Sequence, residues 1–246
     1  MMKRIATALL LCAVSAAATA KTPVLKQMYD RYHGKWRQSE RFTQQTYRYT
    51  DGKLTAIETW HETIEFPDRM RIDIGSPDSG NCMIFVRDSV FTFDSWMPKS
   101  KKPYDGDLLF VTGGMYFAPN YDAAARKFAA LGFNPERSCM AMLNDRKVYV
   151  IGVLNTEETA NQLWVDAADF RVLKLVQFED GHRDEAYFSG HVNTGRGLSE
   201  TIVTFYRDGL MRQMERYSDI RINDVYDNTM FAPETPRTPY HWYNRK

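Results

Sequence analysis

Apolar and polar residues alternate with a period of two along most of this chain, a spacing that predicts strands with one buried and one wet face. Eleven segments read this way: 40–49, 54–66, 69–75, 82–87, 89–94, 147–153, 161–166, 171–179, 183–193, 200–207 and 210–222. Asp51-Gly52, Asp180-Gly181 and Asp208-Gly209 fall between such segments. A type I′ turn needs positive φ at both central positions, which Asp-Gly accepts, so each pair predicts a hairpin. Asn144-Asp145 and Arg87-Asp88-Ser89 predict further turns. Helical spacing occurs in two places only. Val24, Leu25, Met28, Tyr29, Tyr32 and Trp36 recur every three or four residues, which predicts an amphipathic helix ahead of the first strand. A second helical zone, about 105–131, carries Leu108, Leu109 and Met115 before Pro119, and Tyr121, Ala124, Phe128 and Leu131 after it; Gly132 is a natural residue to end it. The order is helix, strands, helices, strands, an antiparallel meander without βαβ units.

The faces of the early strands are uneven in character. Met70, Ile72 and Ile74 alternate with Arg69, Arg71 and Asp73, and Trp60, Ile64 and Phe66 share one parity, with Glu62 intruding among them. Met83 and Phe85 oppose Cys82, Ile84 and Val86, so both sides are expected to be covered there; Phe91 and Phe93 add two rings at one parity. Methionine adapts to apolar shapes that vary, which suits a binding surface, although ordinary core packing beneath helices accounts for the same pattern.

The first twenty residues are of another kind. Lys3 and Arg4 precede an apolar run from Ile5 to Val14, and Ala18-Thr19-Ala20 offers a cleavage site. That is the pattern of a secretory signal peptide, too short to span a bilayer. The reading is therefore a cleaved signal at 1–20, one domain over 21–235, and a tail over 236–246 whose Tyr240-His241-Trp242-Tyr243 is aromatic. Cys12 follows three leucines, a poor context for lipid attachment. Cleavage removes Lys3 and Arg4 and leaves 30 basic against 31 acidic side chains. That balance argues against a nucleic-acid footprint. Only Cys82 and Cys139 then remain, either as a disulfide of an oxidising compartment or as two buried thiols.

Phe42-Thr43-Gln44 after the first helix, Phe66-Pro67-Asp68-Arg69-Met70-Arg71-Ile72-Asp73, and Val86-Arg87-Asp88-Ser89-Val90-Phe91-Thr92-Phe93 resemble the LolA/LolB-like outer-membrane lipoprotein-sorting family. Leu163-Trp164-Val165-Asp166, Arg171-Val172-Leu173-Lys174-Leu175 and Thr229-Met230-Phe231-Ala232-Pro233 are similar to its later segments. The resemblance implies an α+β, mainly β fold. This is a half-open antiparallel β-barrel whose concave face is covered by an N-terminal helix and an inserted helical lid. It also implies a periplasmic, non-enzymatic carrier of lipid or acylated lipoprotein toward the outer membrane, flanked by an inner-membrane release complex and an outer-membrane acceptor. The cavity residues expected on that basis are Trp60, Ile64, Phe66, Met70, Ile72, Ile74, Met83, Phe85, Phe91 and Phe93, with Leu108, Leu109, Met115 and Phe128 in the lid. Phe66 stands where carriers of the best-known type often have a lid-locking arginine, so that polar lock is not expected here. A lipoprotein-binding sensor acting through a protein partner shares this fold family and is the alternative.

Catalytic and metal motifs are missing. His61-Glu62 starts like H-E-x-x-H, but Glu65 stands in place of the second histidine. No G-x-S-x-G elbow, P-loop or complete dinucleotide loop can be drawn through the glycines. No cofactor and no metal is expected.

Overall fold

The computed structural model describes residues 22–104 and 106–237; the proposed signal, its cleavage site and the Tyr240–Tyr243 tail lie outside them. Helix α1 (Val24–Tyr32) leads into β1 (Ser39–Thr50), β2 (Lys53–Glu65), β3 (Arg69–Ile74), β4 (Cys82–Val86), β5 (Ser89–Asp94) and β6 (Met97–Pro103). Then come α2 (Asp107–Thr112), a single 3-10 turn (Gly114–Phe117) and α3 (Tyr121–Ala130). The second strand series is β7 (Ser138–Leu143), β8 (Arg146–Ile151), β9 (Gln162–Asp166), β10 (Val172–Glu179) and β11 (His182–Ser189). After a small ribbon of β12 (Val192–Asn193) and β13 (Leu198–Ser199), it ends with β14 (Ile202–Arg207) and β15 (Leu210–Ile222).

Thirteen strands form one antiparallel sheet in the order β6-β5-β4-β3-β2-β1-β15-β14-β11-β10-β9-β8-β7. The chain therefore meanders outward from the middle to β6, crosses by way of the helices to the opposite edge at β7, and meanders back until β15 pairs with β1. Because β6 and β7 do not pair, the barrel stays half open. The hairpins have the predicted chemistry: Asp51 and Gly52, Asp180 and Gly181, Asp208 and Gly209, and Asn144 and Asp145 all have positive φ.

Two strands of the large sheet lie beyond the sequence expectation. Strand β6 is Met-Pro-Lys-Ser-Lys-Lys-Pro, with the lysines and prolines that blunt a sheet edge and no apolar alternation. Its turn is made by Ser95 and Trp96, both at positive φ, residues that do not announce a type I′ turn. Strand β7 is the other edge and exposes Met140 and Met142. Helix α1 ends at Tyr32, so Trp36 is not part of it. The chain instead folds back, placing the Trp36 indole 5.1 Å from the Tyr32 ring and 4.8 Å from that of Tyr116. The expected strand 183–193 breaks at Ser189, and its end joins the ribbon.

Helix α3 starts at Asn120, whose side chain accepts the Ala123 N–H, and is followed by Gly132 at φ 84°. The main core lies between the helices and one half of the concave face. Leu25 and Met28 of α1, Val111 of α2 and Phe128 of α3 pack there with Ile151, Leu163, Val165, Leu175, Phe188 and Val203. Two satellites sit on the convex face, one around Val148, Val150, Trp164 and Val176, the other around Cys82, Ile84 and Phe93. The second is crossed by the C-terminal segment, which is held by fully buried Arg71. That guanidinium forks onto Asp73 and donates to the carbonyls of Met230, at 3.0 Å, and Pro236, at 2.9 Å. Both faces of β4 are thus covered, as its sequence pattern suggested, whereas β3, whose Arg71 and Asp73 alternate as a wet face should, is covered there too because the C-terminal segment packs over that ion pair.

Cys82 and Cys139 are both free thiols. The bridge is not formed, because the two residues belong to separate convex clusters, one on β4 and the other on the β7 edge.

Candidate functional site

The concave face carries a cavity of about 150 Å³ under α2. Antiparallel register explains which side chains reach it. Pairing of Trp60 with Ile74, Glu62 with Ile72 and Ile64 with Met70 puts all six on one face. Pairing of Ile72 with Met83 and Met70 with Phe85 extends that face to β4. Through β1 it continues to Glu40, Phe42 and Gln44, which oppose Ile64, Glu62 and Trp60. Tyr217 and Glu215 of β15 follow, and then Val203 and Phe205 of β14.

Trp60, Ile64, Phe66, Met70 and Ile72 line the cavity, with Leu108 and Leu109 of α2 above them. Ile74, Met83 and Phe85 share the face but lie beyond the cavity, half-buried; Phe85 packs against Tyr104, itself a lining residue, at a ring distance of 4.9 Å. Phe91 and Phe93 do not face the cavity expected of them. Ile84 pairs with Phe91 and Cys82 with Phe93, so these rings are on the convex side. The two-residue connection between β4 and β5 sets this register, in which Met83 opposes Thr92. Met115 and Phe128 are fully buried in the main core, away from the cavity lining.

At Phe66 the lid contact is aromatic. Its ring lies 6.0 Å from that of Phe117 with 8° between planes, and the Arg37 guanidinium sits 5.6 Å from its centroid. Gly113 passes so close that a Cβ there would meet Phe66 Cε1 and Trp36 Nε1 at 2.5 Å, and one on Gly114 would meet the Pro67 carbonyl at 2.7 Å. The two glycines are thus explained by close packing of the segment that follows α2.

The lining also carries acids, of which sequence reading noticed only Glu62, set between Trp60 and Ile64 and opposite Ile72. Glu40, Glu62, Glu200 and Glu215 all line the cavity. Glu40 is matched: Arg37 donates from Nε at 2.6 Å, and the Ser199 hydroxyl donates to its other oxygen. Arg37 also donates to the Leu198 carbonyl at 3.2 Å. Glu215 accepts the Tyr217 hydroxyl at 2.5 Å and the Gln213 amide. Glu62 has no hydrogen-bond partner among the described residues. Burial, then the charge of Glu215, pushes its carboxyl well above the usual carboxylate range. Burial also raises Glu215, and burial together with Glu40 pushes Glu200 up to about 7. The signal for these residues in the sequence is slight: a carboxylate two positions from an aromatic on a strand, as in Glu40 with Phe42, Glu62 with Trp60 and Glu215 with Tyr217.

Among the described residues no group of His, Cys, Asp and Glu could hold a metal ion, and no helix is long and apolar enough to cross a membrane.

No family model matches the chain, and no curated protein sequence matches it. Solved structures do match. A domain assigned to outer membrane lipoprotein sorting from Vibrio parahaemolyticus aligns with a TM-score of 0.56 at 12% identity, over 85% of this chain and 94% of that one. A LolA superfamily protein from Nitrosomonas europaea gives 0.54 and 12%, over 84% and 96%. A DUF1329 family protein from Desulfovibrio piger gives 0.54 and 12%, over 85% and 98%. At such identity the similarity establishes a shared fold, the LolA-like half-open barrel with helices on its concave face.

Proposed function

We propose that this protein is a non-enzymatic carrier that shelters the hydrocarbon of a lipid or acylated lipoprotein on its way across the periplasm toward the outer membrane. The observation that carries the proposal is the cavity between the concave sheet and α2, lined by Trp60, Ile64, Phe66, Met70 and Ile72. The signal-like N-terminus supports the compartment, and the fold shared with a lipoprotein-sorting domain supports the cargo class.

Energetics favour such a device. Each methylene moved from water to an apolar site gains about 0.8 kcal/mol, so an amphiphile with two or three long chains does not cross water unaided. The cavity, about 150 Å³, is smaller than the roughly 300 Å³ at which small-molecule pockets begin. Loading therefore requires the roof to move. Helix α2 is six residues long and is entered through Gly106 at φ 73°, so it is the element that yields.

The test is binding of a fluorescent fatty-acyl probe to delipidated protein. Wild type should take it up into an apolar environment. Met70→Trp, which enlarges a half-buried wall residue, should weaken uptake while circular dichroism remains unchanged. No uptake by wild type, or equal uptake by both folded proteins, removes this cavity as the cargo site.

A further inference from the structure

We propose, resting on the carrier reading above, that the acidic wall of the cavity is a head-group site, and that the cargo is a cationic amphiphile whose ammonium group sits between Glu62 and Glu200 while its hydrocarbon lies against Trp60, Ile64 and Ile72.

The cavity lining has more acceptors than donors to satisfy them. Donors on this wall are already engaged. Arg37 is taken up by Glu40 and the Leu198 carbonyl. The Trp60 indole N–H donates to Glu58 at 3.0 Å, and the Tyr217 hydroxyl donates to Glu215. What is left over accepts. Glu62 is 6% exposed, borders the cavity and has no partner among the described residues. Gln44 Oε1, on the same face of β1, is buried without a donor. Glu200 borders the same space.

Charge points the same way. Glu40 balances Arg37 at 2.6 Å, both nearly inaccessible. Glu62, Glu200 and Glu215 then share the cavity wall without a second lining cation. Arg48, the cation acting on Glu215, is a partly exposed residue whose ion pair is with Glu58. Buried carboxyls in this position either hold protons or attract a cation. An ammonium supplies three donors and one positive charge, the complement of what the wall lacks. A carboxylate head would add a fourth negative group to the wall and is disfavoured. A neutral ester has no donor and would be held only by carboxyls that keep their protons, and an alcohol brings one donor and no charge.

Isothermal calorimetry with dodecylamine, dodecanol and laurate on the delipidated full chain separates the possibilities. The amine should bind about tenfold or more tighter than the alcohol, and laurate weaker than both. Near pH 6, amine binding should release about one proton, seen as a dependence of the heat on buffer ionisation enthalpy. In the double variant Glu62→Gln, Glu200→Gln, amine and alcohol should bind alike. If the variant does not fold, the amine-to-alcohol ratio and the proton release of wild type decide the matter. Alcohol or laurate binding as tightly as amine, or no proton release, overturns the head-group assignment and leaves the carrier reading standing. Failure of all three to bind overturns both.

Discussion

Replacing Glu200 with glutamine should flatten the fall of stability with pH. In the unfolded chain its carboxyl has an ordinary value of 4.5, and in the fold burial and Glu40 push it up to about 7. A folded value above the unfolded one means the native state holds the proton more tightly. The associated stability is complete below about pH 4.5 and is lost as pH rises through about 7. For Glu200 alone that amounts to about 3 kcal/mol over the window. Glu62 and Glu215 are raised too and act in the same direction. Asp208, Asp227 and Glu158, held below their ordinary values chiefly by backbone N–H donors, act oppositely but only at lower pH. His61 and His191, lowered by burial, oppose the trend in the lower part of the window. Taking the difference between variant and wild type cancels all of these except groups coupled to Glu200. Urea unfolding followed by tryptophan fluorescence at several values between about pH 5 and about pH 8 provides the measurement. Relative to wild type, Glu200→Gln should gain about 2.5 kcal/mol between those limits. A difference that is constant across the range refutes the reasoning, because it means that Glu200 titrates alike in both states.

Other substitutions probe the framework. Gly113→Ala should cost about 1 to 3 kcal/mol in urea unfolding, since its Cβ meets Phe66 and Trp36 at 2.5 Å and its extended φ of −173° adds no strain of its own. Arg71→Ala strips buried Asp73 of its ion-pair partner and two carbonyls of their donor. It should cost about 3 to 5 kcal/mol and open the segment after Asp224 to limited proteolysis. Thiol titration without reductant should count two reactive groups once residues 22–237 are denatured. In the native state Cys139 should react before Cys82, which is buried and has its thiol pushed up to about 11 by that burial.

Most of the fold was legible because its signals are local. Asp-Gly and Asn-Asp turns fix hairpins through φ alone, and alternation fixes faces within one strand. Legibility ended where a property belongs to two strands at once. Phe91 and Phe93 alternate as a cavity pair should, yet which face they occupy depends on the turn at Arg87-Asp88, and that register puts them with Cys82 and Ile84. Edge strand β6 was invisible because an edge is under pressure to look unlike a strand. Glu40, Glu200 and Glu215 come from three segments far apart in sequence. The β1–β2 hairpin sets Glu40 beside Glu62, and only the pairing of β1 with β15, and of β15 with β14, adds Glu215 and Glu200 to them.

Helix α2 has two duties, and their conflict sets a condition on the cargo. Leu108 and Leu109 roof the cavity, while Leu109, Phe110 and Val111 are also built into the main core. Lifting the helix withdraws those three side chains at about 1.5 to 3 kcal/mol each, or about 5 to 9 kcal/mol together. Hydrocarbon entering the space returns about 0.8 kcal/mol per methylene, so about six to eleven methylenes are needed before entry is favourable. On the carrier reading, affinity should therefore stay undetectable for the shortest alkyl chains and then climb steeply with length, instead of rising evenly from the first carbon. A homologous series of alkyl amines measured by calorimetry traces this curve. Phe110→Ala, which weakens the core hold on α2, should move the onset to shorter chains by about two to four methylenes. An even rise from the shortest chain, unchanged in the variant, would mean that cargo enters without displacing α2.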